Sequence, residues 1–501
     1  MKSTYQREGI YAGLALLGMT CTMSAFAGQP VTCGDREAGS VFETNGASYL
    51  VVDDALIRDA ENLDALKQGK IRFCTSQVAN MSSLFAGDDF NQDISDWDTA
   101  QVTDMSSMFA GAAEFNQDLS DWNTALVKDM HSMFMGAHQF NGDVSHWNTA
   151  NVTDMSSMFE DASAFNRNIS HWNISKVTSL EKTFYQATRF NQNLRNWNTS
   201  GVTSMKMTFA GAVHFNGDIS RWNTPRVTTM AGMFMDAHAF NQDIGFWNTF
   251  SLVDVKDMFR NAIRFDQDLG GWFTSRITDM RGMFAGAQRF NGRIGWWDVS
   301  RVVDMSDMFN GAKHFNRMIG FWDTSSLTAA ANMFRDARRF DKPLLGWYTG
   351  NLTNTSFMFR GATSFNQYIG CWDTSALVSA TGMFWGATRF NRFIGWWDTQ
   401  NLQYASGMFA YATRFNQDIS GWDISGLKRA NSMFQEATSF NQDITGWDTS
   451  SLERVISMFE HASAFDQDLS GWDLSHVTAK YAQNFARFSA MTEEQLPVLP
   501  E

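Results

Sequence analysis

Aspartates recur along this chain at a spacing that would suit acid–base chemistry. Asp93, Asp118 and Asp143, then Asp218, Asp243 and Asp268, then Asp418, Asp443 and Asp468, stand at multiples of 25 residues from one another. If each 25-residue unit is one coil of a stack, equivalent side chains fall about 4.8 Å apart, the distance between paired strands. Retaining glycosidases hold their two carboxyls at a similar separation. Any acidic column in a stacked repeat shares that spacing, and a catalytic pair needs two different environments to split its pKa values. Turn capping by the aspartate side chains is therefore the preferred reading. Calcium held between like charges of adjacent coils comes second, and catalysis last.

The other reactive residues assemble no site. The 9 histidines are scattered over unrelated offsets; His138 and His238 share one, but the coils between them break any cluster. A metalloprotease helix, a phosphate loop, a nucleophile elbow and a paired CxxC are all missing from the sequence. Methionine columns such as Met105, Met108, Met130 and Met133 read as core filler. The expectation is a protein that is not an enzyme, with no catalytic residue, no metal and no cofactor.

What positions these residues is an array. Phe90, Phe115 and their successors to Phe465 recur every 25 residues without an insertion. Seven residues after each stands a tryptophan, from Trp97, Trp122 and Trp147 to Trp472, so that 16 of the 19 tryptophans share one column. An aliphatic column (Ile94, Leu119, Val144), a second phenylalanine (Phe109 to Phe459) and an alanine (Ala112 to Ala462) complete the unit. One unit is too short to bury its own apolar faces, so neighbours must cover them, as in other quasi-one-dimensional repeats. "VTDMSSMFAGA" places apolar residues at Val102, Met105, Met108, Phe109 and Ala112, spacings that predict a short helix packed by one face. "FNQDISDW", centred on Ile94, predicts a short parallel strand. Asn91, Asn116 and Asn141 are expected to point inward and satisfy loop backbone groups. The fold class expected is an α/β repeat solenoid, with leucine-rich-repeat-like coils of one short parallel β-strand and one short helix.

Four segments follow. Residues 1–27 read as a secretory signal peptide: Lys2 and Arg7 precede an apolar run from Ile10 to Met19, with small residues at Ala25 and Ala27. Residues 28–72 are an N-terminal cap, 73–486 the solenoid of about sixteen repeats, and 487–501 a polar tail. Export after cleavage near Ala27–Gly28 would leave the protein secreted, surface-held or periplasmic. Cys33 and Cys74 would then pair in an oxidising compartment. The net charge of -14 and pI near 5.1 argue against nucleic acid or anionic lipid as partner. No apolar run beyond the leader reaches membrane-spanning length.

"FNQDISDWDT" joined to "VTDMSSMFAGA" resembles the 25-residue repeat of the BspA-like, leucine-rich-repeat-related surface proteins of bacteria, a repeat also frequent in mycoplasma lipoproteins. The likeness runs from about Phe73 to Phe485. It implies an exported protein, in some members one that adheres to host proteins or other cells, with no shared catalytic residue or ligand.

The informative positions are where the repeat changes. Offsets held by Asp93 and Asp96 in the first coil become Phe246, Arg293, Trp296, Met318, Phe321, Tyr368, Cys371, Phe393 and Trp396 in the middle of the array. Arginines, among them Arg289 and Arg339, gather in the same coils. Residues 241–400 hold seventeen Lys and Arg against fourteen Asp and Glu, a net of +3. Rings supply rigid apolar area and arginines directional donors, so Phe246, Arg293, Trp296, Phe321, Tyr368, Phe393, Trp396, Arg289 and Arg339 are the candidate ligand-binding residues. The function expected is a binding or adhesion scaffold for an extracellular protein or glycan. The alternative is a structural protein that self-associates edge to edge or through Cys371. If the changed offsets instead tuck against the tryptophan column, they only thicken the core.

Overall fold

The computed structural model describes residues 29–498. The expected leader and the last three residues of the expected tail lie outside the described residues. The first coil is covered by a three-stranded sheet. Strands β1 (Val41–Thr44) and β2 (Ala47–Asp53) are antiparallel, and β3 (Arg72–Gln77) pairs parallel to β2. Helix α1 (Ala60–Lys67) connects β2 to β3; Asp59 caps it by accepting the N–H groups of Glu61 and Asn62. Cys33 and Cys74 are bonded to each other and buried. Phe73 on β3 stacks over Trp97 at 6.2 Å, extending the aromatic core into the cap.

Behind the cap the coils pile up with equal offsets adjacent. Trp97 lies over Trp122 with ring centroids 6.3 Å apart and planes within 3°. Phe109 lies over Phe134 at 5.5 Å, and Phe90 over Phe115 at 6.3 Å. Phe109 also stacks on Phe115 at 3.9 Å, locking one coil to the next. The aliphatic and alanine columns are buried among these rings.

The helix and strand expected in each coil are replaced by turns. Among the described residues no helix lies between β3 and Ala479. In the segment expected to be helical, Met108, Ala110 and Ala112 donate to Met105, Ser107 and Phe109, three residues back, at 3.1–3.3 Å. The interleaved Met105, Ser107 and Phe109 donate instead to Asp129, His131 and Met133 of the next coil. Alternate donors thus serve the coil and the stack, and the backbone is accounted for without a helix. Two left-handed residues, Ser107 (φ +54°) and Gly111 (φ +74°), break the run of right-handed residues a helix needs. Spacing gives the physical reason. A helix is about 10 Å wide, so helices could not recur every ~4.8 Å without collision, whereas flat turns can.

The parallel ladder also lies elsewhere. It is reduced to single bridges, Asp104 to Asp129, Asp129 to Asp154 and so on to Arg454, rather than strands centred on Ile94. The asparagine column faces solvent at Asn91 and Asn116 rather than inward. It still serves the stack, because Asn91 Oδ1 accepts the backbone N–H of Asn116 at 3.0 Å. Buried Thr99 plays a matching part inside, donating its hydroxyl to the Asn123 carbonyl at 3.1 Å.

At the far end the chain folds back over the last coil, and residues 487–496 of the segment expected as a polar tail take part. Val455, Ser457, Phe459 and His461 donate to Tyr481, Gln483, Phe485 and Arg487. Leu469 donates to Gln495, and Leu496 packs against the core. The last coil's donors are therefore covered by chain up to residue 496.

Candidate binding face

Turns along the array are capped by aspartate or, in some coils, by asparagine such as Asn168 and Asn193. Asp93 Oδ1 accepts the N–H of Ser95 at 3.0 Å, and Asp118 that of Ser120 at 2.9 Å. The hydroxyl of Thr445 and then its N–H hold the Asp443 carboxyl below the usual carboxylate range; Ser470 does the same for Asp468. Most of the column is thus a run of like environments, each carboxylate turned to its own coil, with Asp268, which turns to Arg293 of the next coil, as the exception. Among the described residues no group of three His, Cys, Asp or Glu side chains is placed to hold a metal ion.

In the middle coils this edge is rebuilt. The serine of the outer coils becomes glycine at Gly245, Gly270, Gly295 and Gly320. A Cβ at Gly295 would lie 2.6 Å from the carbonyl oxygen of Met318, and one at Gly320 2.4 Å from that of Pro343. Backbones of adjacent coils therefore touch where outer coils carry side chains. Gly271 follows Gly270, but the residues after Gly245, Gly295 and Gly320, and after Gly395 farther along, project outward: Phe246 is 91% exposed, Trp296 87%, Phe321 81% and Trp396 74%. These rings lie outside the tryptophan column.

Phe246 and Trp296 stand two coils apart with Gly271 between them, about 10 Å along the stack on the strand spacing. They flank a groove of about 800 Å³, floored by Gly270 and Gly271 and flanked by Phe250 and Phe273. Phe250 and Phe273 meet edge to face at 6.1 Å. Trp296 is also a wall of a second groove of about 380 Å³, with Phe321, Met318, Arg317 and Lys342. Arg293 lies between the two. Its backbone N–H and then its guanidinium bond Asp268, at 2.8 and 2.9 Å, and hold that carboxyl below its ordinary range.

The structure thus brings Phe246, Arg293, Trp296 and Phe321 together. Tyr368, Phe393 and Trp396 form a second group farther along, where Phe393 meets Trp396 edge to face at 5.1 Å. Arg289 and Arg339 are exposed but line neither groove. Sequence reasoning passed over Phe250, Phe273, Arg317 and Lys342. The signal was present: Phe250 and Phe273 stand in columns that hold mostly small or Asn/Asp residues, Tyr348 and Gln400 being other departures.

A family model described as "Mycoplasma protein of unknown function, DUF285" matches residues 56–169, 122–216, 192–297, 278–396 and 390–496. No curated protein matches. Among solved structures, "Crystal structure of TLR13-ssRNA13 complex" is similar at 10% identity, covering 86% of this chain and 80% of that one, with a TM-score of 0.20.

Proposed function

The chain belongs to that DUF285 family, and from this premise we propose that it is an exported, non-enzymatic binding scaffold of the BspA-like kind, whose middle coils hold an extracellular partner. The observation that carries the reading is the row Phe246, Trp296 and Phe321, three large rings exposed along continuous grooves. Contiguous exposed apolar surface rimmed by polar groups is the mark of an interaction site. The grooves are open and shallow, and flat rings at coil spacing suit the apolar faces of sugar rings, so a glycan is favoured over a protein. The aspartates turned to their own backbones support a non-enzymatic role. The Cys33–Cys74 bond and the leader-like residues from Lys2 to Ala27 support export.

Self-association is the second reading. Edge-to-edge growth is disfavoured because both ends of the stack are covered, by the β1–β3 sheet and by residues 479–496. Cys371, a free exposed thiol in the column of Trp396, keeps a covalent route. Sedimentation of reduced and oxidised protein separates the readings: assembly without ligand would favour this second one. The direct test is Trp296→Ser, Phe321→Ser and Trp396→Ser together. Adhesion to cells and to glycan arrays should vanish while circular dichroism is unchanged; undiminished adhesion would dismiss the ring face.

A further inference from the structure

The arginines outside the grooves form a surface of their own. Arg264, Arg289, His314 and Arg339 stand at one offset on four successive coils, immediately before the core phenylalanines Phe265, Phe290, Phe315 and Phe340. Beyond Ser364 the column continues with Arg389 and Arg414. All six of these side chains are exposed. Adjacent coils set their anchor points about 4.8 Å apart.

The column carries no paired counter-charge. Four other arginines of these coils are paired, Arg260 with Asp257, Arg281 with Asp279, Arg293 with Asp268 and Arg335 with Asp336, whereas among the described residues Arg276, Arg301, Arg317, Arg338, Arg360 and Arg392 are not; what sets the column apart is that five unpaired arginines recur at one offset. Among the described residues no carboxylate pairs with Arg264, Arg289, Arg339, Arg389 or Arg414. The acids nearest along the chain are already engaged. Asp266 accepts the N–H of Asn291 at 2.8 Å, and Asp341 that of Asn366 at 3.0 Å. His314 is fixed through Nδ1 to the Gln288 carbonyl at 2.8 Å. The result is five exposed guanidiniums at one offset, interrupted by His314 and Ser364, within a chain of net charge -14.

We propose that this ladder is a second recognition surface, which binds a linear acidic polysaccharide carrying about one carboxylate or sulfate per sugar. Matching periodicity is the argument: a polymer whose anions recur near the coil spacing meets a guanidinium on five of the seven coils from Arg264 to Arg414, each bonded through its planar fork. A nucleic acid fits less well. Single strands are held by basic grooves interleaved with stacking rings, and the residues beside this column are Ile263, Gln288, Lys313, Arg338 and Thr363, with no ring among them. The ladder is independent of the aromatic grooves, which neither Arg289 nor Arg339 lines.

The full chain would be tested on immobilised polygalacturonate, with neutral dextran as the control and a single-stranded oligonucleotide as competitor. Salt-sensitive binding to polygalacturonate and none to dextran is expected. Arg264→Ser, Arg289→Ser and Arg339→Ser together should weaken it roughly tenfold or more, while Lys at the same positions, which keeps the charge but not the fork, should retain only part of it. Trp296→Ser should leave it intact, which separates this surface from the groove. Absence of binding, equal binding by the triple Ser variant, loss in Trp296→Ser, or tighter binding of the oligonucleotide would each overturn the assignment.

Discussion

The indole N–H of Trp122 donates to the carbonyl of Ile94, one coil back, at 3.1 Å. The same carbonyl accepts the backbone N–H of Trp97 at 3.2 Å, so one oxygen ties two coils together. The pattern repeats along the column, as at Trp272 and Ile244, where the distance is 3.0 Å. Tryptophan is therefore held here by its nitrogen as well as its area, which separates it from phenylalanine.

Trp272→Phe should lose that bond and part of the ring volume while the Ile244 carbonyl keeps its other donor, the N–H of Trp247. A loss of about 2 kcal/mol follows from a net hydrogen bond and a small cavity. Phe273→Ser, one residue on and exposed, should change stability by no more than about 0.5 kcal/mol. Denaturant unfolding of the two variants, monitored by fluorescence, checks the contrast.

Gly320→Ser would restore the residue type of the outer coils, yet it should destabilise. Its Cβ would meet the Pro343 carbonyl oxygen at 2.4 Å, a backbone atom that cannot swing aside. A cost of about 1–3 kcal/mol is expected, as for other overpacked sites. Gly446→Ser, where nothing lies within 4 Å of an added Cβ, is the control. If both variants melt alike, close backbone approach is not what selects glycine in the ring-bearing coils.

Alkali should loosen the N-terminal cap. The Tyr49 hydroxyl donates to Asp96 Oδ2 at 2.6 Å, and Arg72 bonds the same oxygen at 2.7 Å. Burial, with the neighbouring carboxylate, pushes the phenol up to about 12, against about 10 in an unfolded chain. A proton held more tightly in the folded state stabilises it fully below pH ~10, and that contribution is lost as pH rises towards ~12. Melting of the wild type should therefore decline over this window, and Tyr49→Phe should flatten the decline. An equal decline in the variant would assign the effect to other groups.

Much of the scaffold was legible because the same offset is sampled in every coil. A position that is Phe or Trp in each copy has one physical explanation, a shared core, and Phe90, Trp97 and Phe109 occupy it. Local conformation was less legible. Apolar residues three and four apart describe a helix face, but they equally describe successive turns closed between residues three apart, as in Met105, Met108 and Phe109. The recurrent glycine at Gly87, Gly111 and Gly136 was the available clue, since a left-handed residue ends a helix. The ring face was visible as departures from the repeat, and Phe250 and Phe273 could have been found by the same logic.

Sequence by itself determined the period, the core columns and the places where the surface chemistry changes, because each is a statement about residue type at a fixed offset. Tertiary structure alone decided that turns replace helices, since only the distance between coils excludes a body about 10 Å wide. It also decided that Trp296 faces out while Trp297 faces in. Its flanking Gly295 lies against the Met318 carbonyl, a contact between residues from different coils. It likewise parted Arg289 from the groove that Arg293 lines, because four residues along a turning coil lead to a different surface.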